Sequence, residues 1–267
     1  MHARILFLGT AGDSIVAGTQ ARATGGIVIE YDEMKLILNP GPGTIARAAQ
    51  NAVSMREIDA VIVTKNDLLS TGDLNACVDA MTNGGLDKRG VVVCSYEVLD
   101  GNQEYQPAMS PLHQKCLEKV IPLRLDDSVA LNNIEIVPTH TNDTSDRTFG
   151  VRLSTPQFIV SYVGASVYDK DIVQEHKGCD ILILNFPSVL SKENKTTSLE
   201  DIKKFITEIK PNLAIITGFG IKILQDDILT HVRNIQRDTG VQTTAAKDGL
   251  AINPLSFSAL VRQQKLA

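Results

Sequence analysis

Short runs of β-branched and aliphatic residues punctuate the whole chain, at 4–9, 26–31, 35–39, 60–64, 91–94, 134–139, 149–154, 158–162, 180–185, 213–217, 241–244 and 250–253. Their length and content predict strands. The stretches 44–52, 72–81, 169–176, 199–209 and 221–238 carry apolar residues at helical spacing instead, which predicts helices between those strands. Ser198 followed three residues later by Asp201 resembles a capping box with the acid one methylene short. Lys210-Pro211 stops the same helix, because proline pushes the residue before it out of α geometry. Strands first succeed one another with little helix between them, then alternate with helices, and the order repeats roughly from Leu131. Two sheets with outer helices fit that pattern. No Ser/Gly/Pro-rich linker separates the halves, so the chain 1–267 reads as a single domain.

Composition narrows the functional classes. Lys+Arg 26 against Asp+Glu 31 leaves a formal charge of −5 over 267 residues, which disfavours broad electrostatic binding to nucleic acid. The absence of Trp, with only five Tyr and seven Phe, disfavours a base-stacking platform as well. Cys77, Cys94, Cys116 and Cys179 form no CxxC pair and no zinc-ribbon spacing, which fits a reducing cytoplasm. The apolar run Ile5-Leu6-Phe7-Leu8 is too short for a secretory signal or a membrane span. The expectation is a cytoplasmic protein without a membrane partner.

Candidate chemistry is sparse. Gly9-Thr10-Ala11-Gly12-Asp13-Ser14 follows the first strand and invites a phosphate-cradle reading. It matches neither GxGxxG nor GxxxxGK[ST], and no helical period follows the glycines, so it reads as a polar connection. Of the five histidines, none pairs with another at ligand spacing. His113 and His176 read as solvated and His231 as a helix-face residue, whereas His140 ends the strand 134–139 in the polar loop Thr139-His140-Thr141-Asn142-Asp143. Loops of that kind concentrate site residues. Lys65-Asn66-Asp67 occupies the carboxyl end of the strand 60–64, where α/β folds gather ligands. Neither GxSxG nor HExxH occurs. Asn39-Pro40-Gly41-Pro42-Gly43 reads as a rigid turn into the helix beginning near Thr44, and Asp248-Gly249 as a hairpin turn between the last two strands.

Four segments together resemble the opening of metallo-β-lactamase-fold hydrolases: Ile5 through Gly12, Thr24-Gly25-Gly26, Leu36 through Gly43, and Ile58 through Thr64. The resemblance continues through Ser161-Tyr162-Val163-Gly164, Asp180 through Asn185 and Ile215-Ile216-Thr217-Gly218-Phe219-Gly220, and is most like the ribonuclease Z and archaeal uncharacterised-hydrolase side of the superfamily. It implies an α/β fold, a four-layer αββα sandwich of the metallo-β-lactamase type. It also implies where metal ligands should stand. Against the family's T-H-x-H-x-D-H, this chain reads Thr64-Lys65-Asn66-Asp67-Leu68-Leu69-Ser70, so Lys65, Asp67, Leu69 and Ser70 occupy the ligand positions. The next family histidine falls between His140 and Asp143. The bridging aspartate is Ala165 here, and the histidine of T-H-F-G is Gly218.

Three functional readings follow from that resemblance. In the first, the chain is a catalytically degenerate, metal-free member with no catalytic residues. It uses the former active cleft, with Lys65, Asp67, His140 and Asp143, for a small anionic ligand or a protein partner. In the second, it is a metal-dependent hydrolase of a phosphodiester or ester, with zinc or manganese on an atypical site of Asp67, His140 and Asp143, since three protein donors suffice for a catalytic metal. In the third, it is a scaffold, a homodimer or the companion of an active paralogue.

Overall fold

A computed structural model describes residues 2–142, 147–164, 166–187 and 197–259. Its fourteen strands are β1 (Ala3–Phe7), β2 (Ile27–Tyr31), β3 (Met34–Leu38), β4 (Ala60–Val63), β5 (Val91–Ser95), β6 (Lys119–Leu123), β7 (Val129–Leu131), β8 (Ile134–Thr139), β9 (Gly150–Ser154), β10 (Ile159–Gly164), β11 (Ile181–Asn185), β12 (Leu213–Thr217), β13 (Thr243–Ala245) and β14 (Ala251–Ile252). They form two sheets, which belong to two compact units of the chain.

The first unit comprises Met1–Thr10, Arg22–Arg124 and Asp248–Ile252. Its sheet has the order β14-β1-β2-β3-β4-β5-β6. Pairing is antiparallel from β14 to β3 and parallel from β3 to β6, with Leu36 opposite Ala60 and Val63 opposite Cys94. Alternate strand residues Val61 and Val63, Val92 and Cys94, Leu6 and Leu8 point to one face, as the two-residue period of a strand requires. There they meet Leu74, Cys77, Val78 and Met81, the apolar stripe of the helix Leu74–Met81. The spacing of those four residues is the i, i+3, i+4, i+7 signature of one helix face.

The second unit comprises Ala11–Ala21, Leu125–Lys247 and Asn253–Ala267, and its sheet has the order β13-β12-β11-β10-β9-β8-β7. Again antiparallel pairing, β7 to β10, gives way to parallel pairing, β10 to β13. The repeat read from the sequence is thus a repeat of topology. Val163, Leu182, Leu184, Ala214 and Ile216 pack against Ile172 and Val173 of the helix Lys170–His176, against Ile202, Phe205, Ile206 and Ile209 of the helix Leu199–Ile209, and against Val232 and Ile235 of the helix Ile228–Thr239.

The differences from the sequence reading have local causes. The unpredicted strands β6 and β7 are edges; β6 contains Pro122 and β7 is three residues long, so each lacks the pattern of an internal strand. Four unpredicted helices, Ser14–Thr19, Leu68–Thr71, Tyr96–Asp100 and Pro111–Cys116, are too short to display a period. The first of them corrects the expectation that no helix follows the early glycines. The predicted helix 221–238 breaks at Asp226, whose backbone is extended, into Ile221–Gln225 and Ile228–Thr239. Asp248-Gly249 is not a hairpin turn, because β13 and β14 belong to different sheets; the Asp248 carboxylate instead accepts from Thr10 Oγ1 and the Ala23 amide, both at 2.7 Å. The capping box at Ser198 is present with both of its hydrogen bonds, and Lys210 closes that helix in the left-handed conformation. Among the described residues no helix is long and apolar enough to cross a membrane.

Candidate functional site

In the first unit the loop after β4 is built on Asn39, the residue that follows β3. Its amide side chain accepts from the Thr64 backbone N–H and donates to Thr64 Oγ1, both at 2.9 Å. Asn66 is buried and donates to the carbonyls of Glu97 (2.9 Å) and Gln106 (3.1 Å). With Asn66 anchored inward, its neighbours are left at the surface. Lys65 Nζ lies 3.7 Å from Asp67 Oδ2, and both side chains are partly exposed. Asp67 Oδ1 accepts from the Ser70 amide at 2.8 Å and so caps the helix Leu68–Thr71. The loop therefore presents an ammonium and a carboxylate that is already engaged, with the hydrocarbon of Leu69 in the turn beyond it.

In the second unit β12 ends at Thr217, and Gly218 takes a left-handed backbone with φ +61°. A side chain there would meet Asn185, because an ideal Cβ on Gly218 lies 2.8 Å from Asn185 Cγ and Oδ1. Asn185 Nδ2 donates to the Tyr162 hydroxyl at 2.9 Å, so that amide is itself held. The early glycine loop packs on the same turn. Gly12 N–H donates to the Phe219 carbonyl at 2.9 Å, and a Cβ on Gly12 would fall 1.9 Å from the Gly218 carbonyl oxygen. Asp13 accepts from the Val16 and Ile221 amides, both at 2.7 Å. Gly12 N–H thus serves Phe219, and the loop closes a turn.

His140 is exposed at the end of β8, where Glu175 takes both its ring Nδ1 and its backbone amide. Asn142 N–H donates to the buried Ser166 Oγ at 3.0 Å, and Ser166 N–H to Thr197 Oγ1 at 2.8 Å. Asp143 and Ala165 lie outside the described residues. Lys65 and Asp67 in the loop, and Leu69 and Ser70 in the short helix that follows it, belong to the first unit, while His140 and Gly218 belong to the second. Among the described residues, no group of three or more His, Cys, Asp and Glu side chains converges as a metal ion requires.

The remaining candidates are structural. His113 accompanies Ser110 Oγ and Asp79, and His231 packs edge-on against Phe186 at 6.0 Å. His176 corrects the sequence reading, since it is fully buried and, among the described residues, neither ring nitrogen has a hydrogen-bond partner. Burial pushes the Cys94 and Cys179 thiols up to about 12, which keeps them protonated and unreactive. The sequence reading missed Glu175 and Asn185. Their partners lie 35 and 23 positions away, so neither contact leaves a local signal.

A family model described as a beta-lactamase superfamily domain matches residues 35–219. Uncharacterized protein MJ1374 of Methanocaldococcus jannaschii is 30% identical over 262 residues, spanning 96% of this chain and 97% of its own length. Among solved structures, the metallo-beta-lactamase fold protein YhfI of Bacillus subtilis superposes with a TM-score of 0.77 at 14% identity, covering 94% of this chain and 98% of its own. The short form of human tRNase Z superposes at 0.68 and 11% identity, with 94% and 98% covered. A diphosphatase of the PhnP family reaches 0.67 at 16% identity, with 94% and 97% covered. With its two mixed sheets flanked by helices and a family match over most of its length, the chain belongs to the β-lactamase superfamily and has the α/β fold of the metallo-β-lactamase type.

Proposed function

We propose that this chain is a metal-free member of its superfamily that binds an anionic ligand, a phosphate or a carboxylate, at the Lys65–Asp67 loop and is not a metallohydrolase. The observation that carries this reading is the Lys65 ammonium, paired with Asp67 at 3.7 Å, at the position where the family resemblance calls for the first metal ligand.

The donor set does not fit the implied metal. A catalytic zinc needs three protein donors and an open position. Lys65 has no lone pair when charged and repels a dication. Leu69, Ala165 and Gly218 bring no donor atom. Asp67, the carboxylate at these positions, is engaged by the Ser70 amide and by Lys65. The backbone at Gly218 also opposes a ligand side chain, because the space where it would begin is taken by Asn185. An anion suits the loop better than a dication does, because the fixed positive charge of Lys65 attracts the one and repels the other.

Two measurements test this. Protein purified without chelator and then challenged with zinc and manganese should contain no stoichiometric metal by mass spectrometry and should show no rise in melting temperature. Stoichiometric metal with a raised melting temperature would overturn the reading and restore the metal-dependent hydrolase. Titration calorimetry with inorganic phosphate should show binding that Lys65→Glu abolishes; binding unchanged in that variant would refute the anion site.

A further inference from the structure

We infer that Glu175 is a positioning residue for His140, locking the ring in the tautomer that carries its proton on Nδ1, so that Nε2 is a preset hydrogen-bond acceptor for a ligand O–H or N–H group. The contact has an unusual form. One carboxylate holds one residue twice: Glu175 Oε2 accepts the His140 backbone N–H at 2.7 Å, while Oε1 meets ring Nδ1. An ordinary surface ion pair engages the side chain alone, leaves the backbone free to move and contributes little.

The protonation follows from the donors and acceptors. An ionised carboxylate only accepts, so Nδ1 must carry the hydrogen, and in a neutral ring Nε2 then carries the lone pair. With more than half of its side chain exposed, His140 keeps that acceptor within reach of solvent. The carboxylate is itself fixed by its element. Glu175 lies in the last turn of the helix Lys170–His176, and Arg152 of β9 reaches that helix end, donating from Nη1 to the carbonyls of Lys177 (2.8 Å) and Glu175 (3.2 Å). The next residue, His176, is fully buried, so the helix end cannot swing without exposing it. A histidine oriented by a carboxylate that is held in turn by a second layer is the arrangement that makes an imidazole a directed ligand or base. The inference does not depend on the anion reading, because neither residue belongs to the Lys65 loop.

The test is the tautomer itself, read from the ring nitrogen shifts of 15N-histidine-labelled full-length protein at a pH where His140 is neutral. Wild type should show Nδ1 protonated and Nε2 with the shift of an unprotonated nitrogen. Glu175→Ala should revert to the Nε2-protonated form that free histidine favours, and Glu175→Gln, whose amide oxygen still accepts, should retain much of the wild-type pattern. Carbethoxylation of His140 by diethyl pyrocarbonate, mapped by peptide mass, should slow several-fold in Glu175→Ala. A wild-type ring protonated on Nε2, or a tautomer unmoved by Glu175→Ala, would overturn the inference whatever the phosphate titration shows. The wild-type measurement alone decides it should the alanine variant fail to fold.

Discussion

His176 shows how one residue can set the acid limit of this protein. It ends the helix Lys170–His176 fully buried, and among the described residues neither ring nitrogen is hydrogen-bonded. Burial, and after it the nearby Arg152 guanidinium, hold its pKa down from 6.5 to about 3. A depressed histidine stays neutral in the folded chain while the unfolded chain takes up a proton. Stability is therefore intact above about 6.5 and falls as the pH drops from there toward about 3, the unfolded state being the one that binds more protons. The slope this site contributes is at most about 1.4 kcal/mol per pH unit. Replacing it with phenylalanine should flatten the acid limb of a urea-denaturation series, with stability at pH 8 changed by less than about 1.5 kcal/mol, since a buried polar ring gives way to a slightly larger apolar one. An acid limb as steep as wild type would assign that slope to other groups.

At the scale of elements, the helix Leu199–Ile209 is specified both along its apolar face and at its start. Its apolar residues Ile202, Phe205, Ile206 and Ile209 pack on the second sheet, and its start is fixed by Ser198 and Asp201, each side chain engaging the backbone N–H of the other. A Ser198→Ala substitution should cost about 1 kcal/mol by denaturant unfolding; a cost indistinguishable from zero would show that packing alone sets this end. The shorter helices are held differently. Leu68–Thr71 depends on Asp67, which caps it while pairing with Lys65, so the proposed anion loop and the local backbone share one carboxylate. Pro111–Cys116 starts at Ser110, whose hydroxyl accepts from the His113 amide. These caps are legible after the fact, but no periodic signal accompanies them in elements of four to six residues.

For the molecule as a whole, neither unit is a continuous stretch. The chain leaves the first unit after Thr10, returns at Arg22, leaves after Arg124, and comes back at Asp248 to place β14 beside β1. From this interleaving we propose that residues 1–267 fold as one domain. Urea unfolding should accordingly give a single transition in which far-UV circular dichroism and tyrosine fluorescence coincide; two separated midpoints would divide the chain into independent units. The internal strands and the long helices were legible because burial on one face imposes a period on the residues that supply it, as in Val61 and Val63 or Leu74, Cys77, Val78 and Met81. The placing of the family's ligand positions at Lys65, Leu69, Ala165 and Gly218 rests on the sequence resemblance, and what the sequence shows is that Leu69, Ala165 and Gly218 carry no donor side chain. Tertiary structure alone decided the rest: that His176 is buried, that Glu175 grips His140, that Asn185 fills the space beside Gly218, and that Gly12 of the early loop is bonded to the turn at Phe219. Each of those depends on a contact between side chains or backbones far apart in the sequence, and such a contact leaves no mark on the local pattern from which a chain is read.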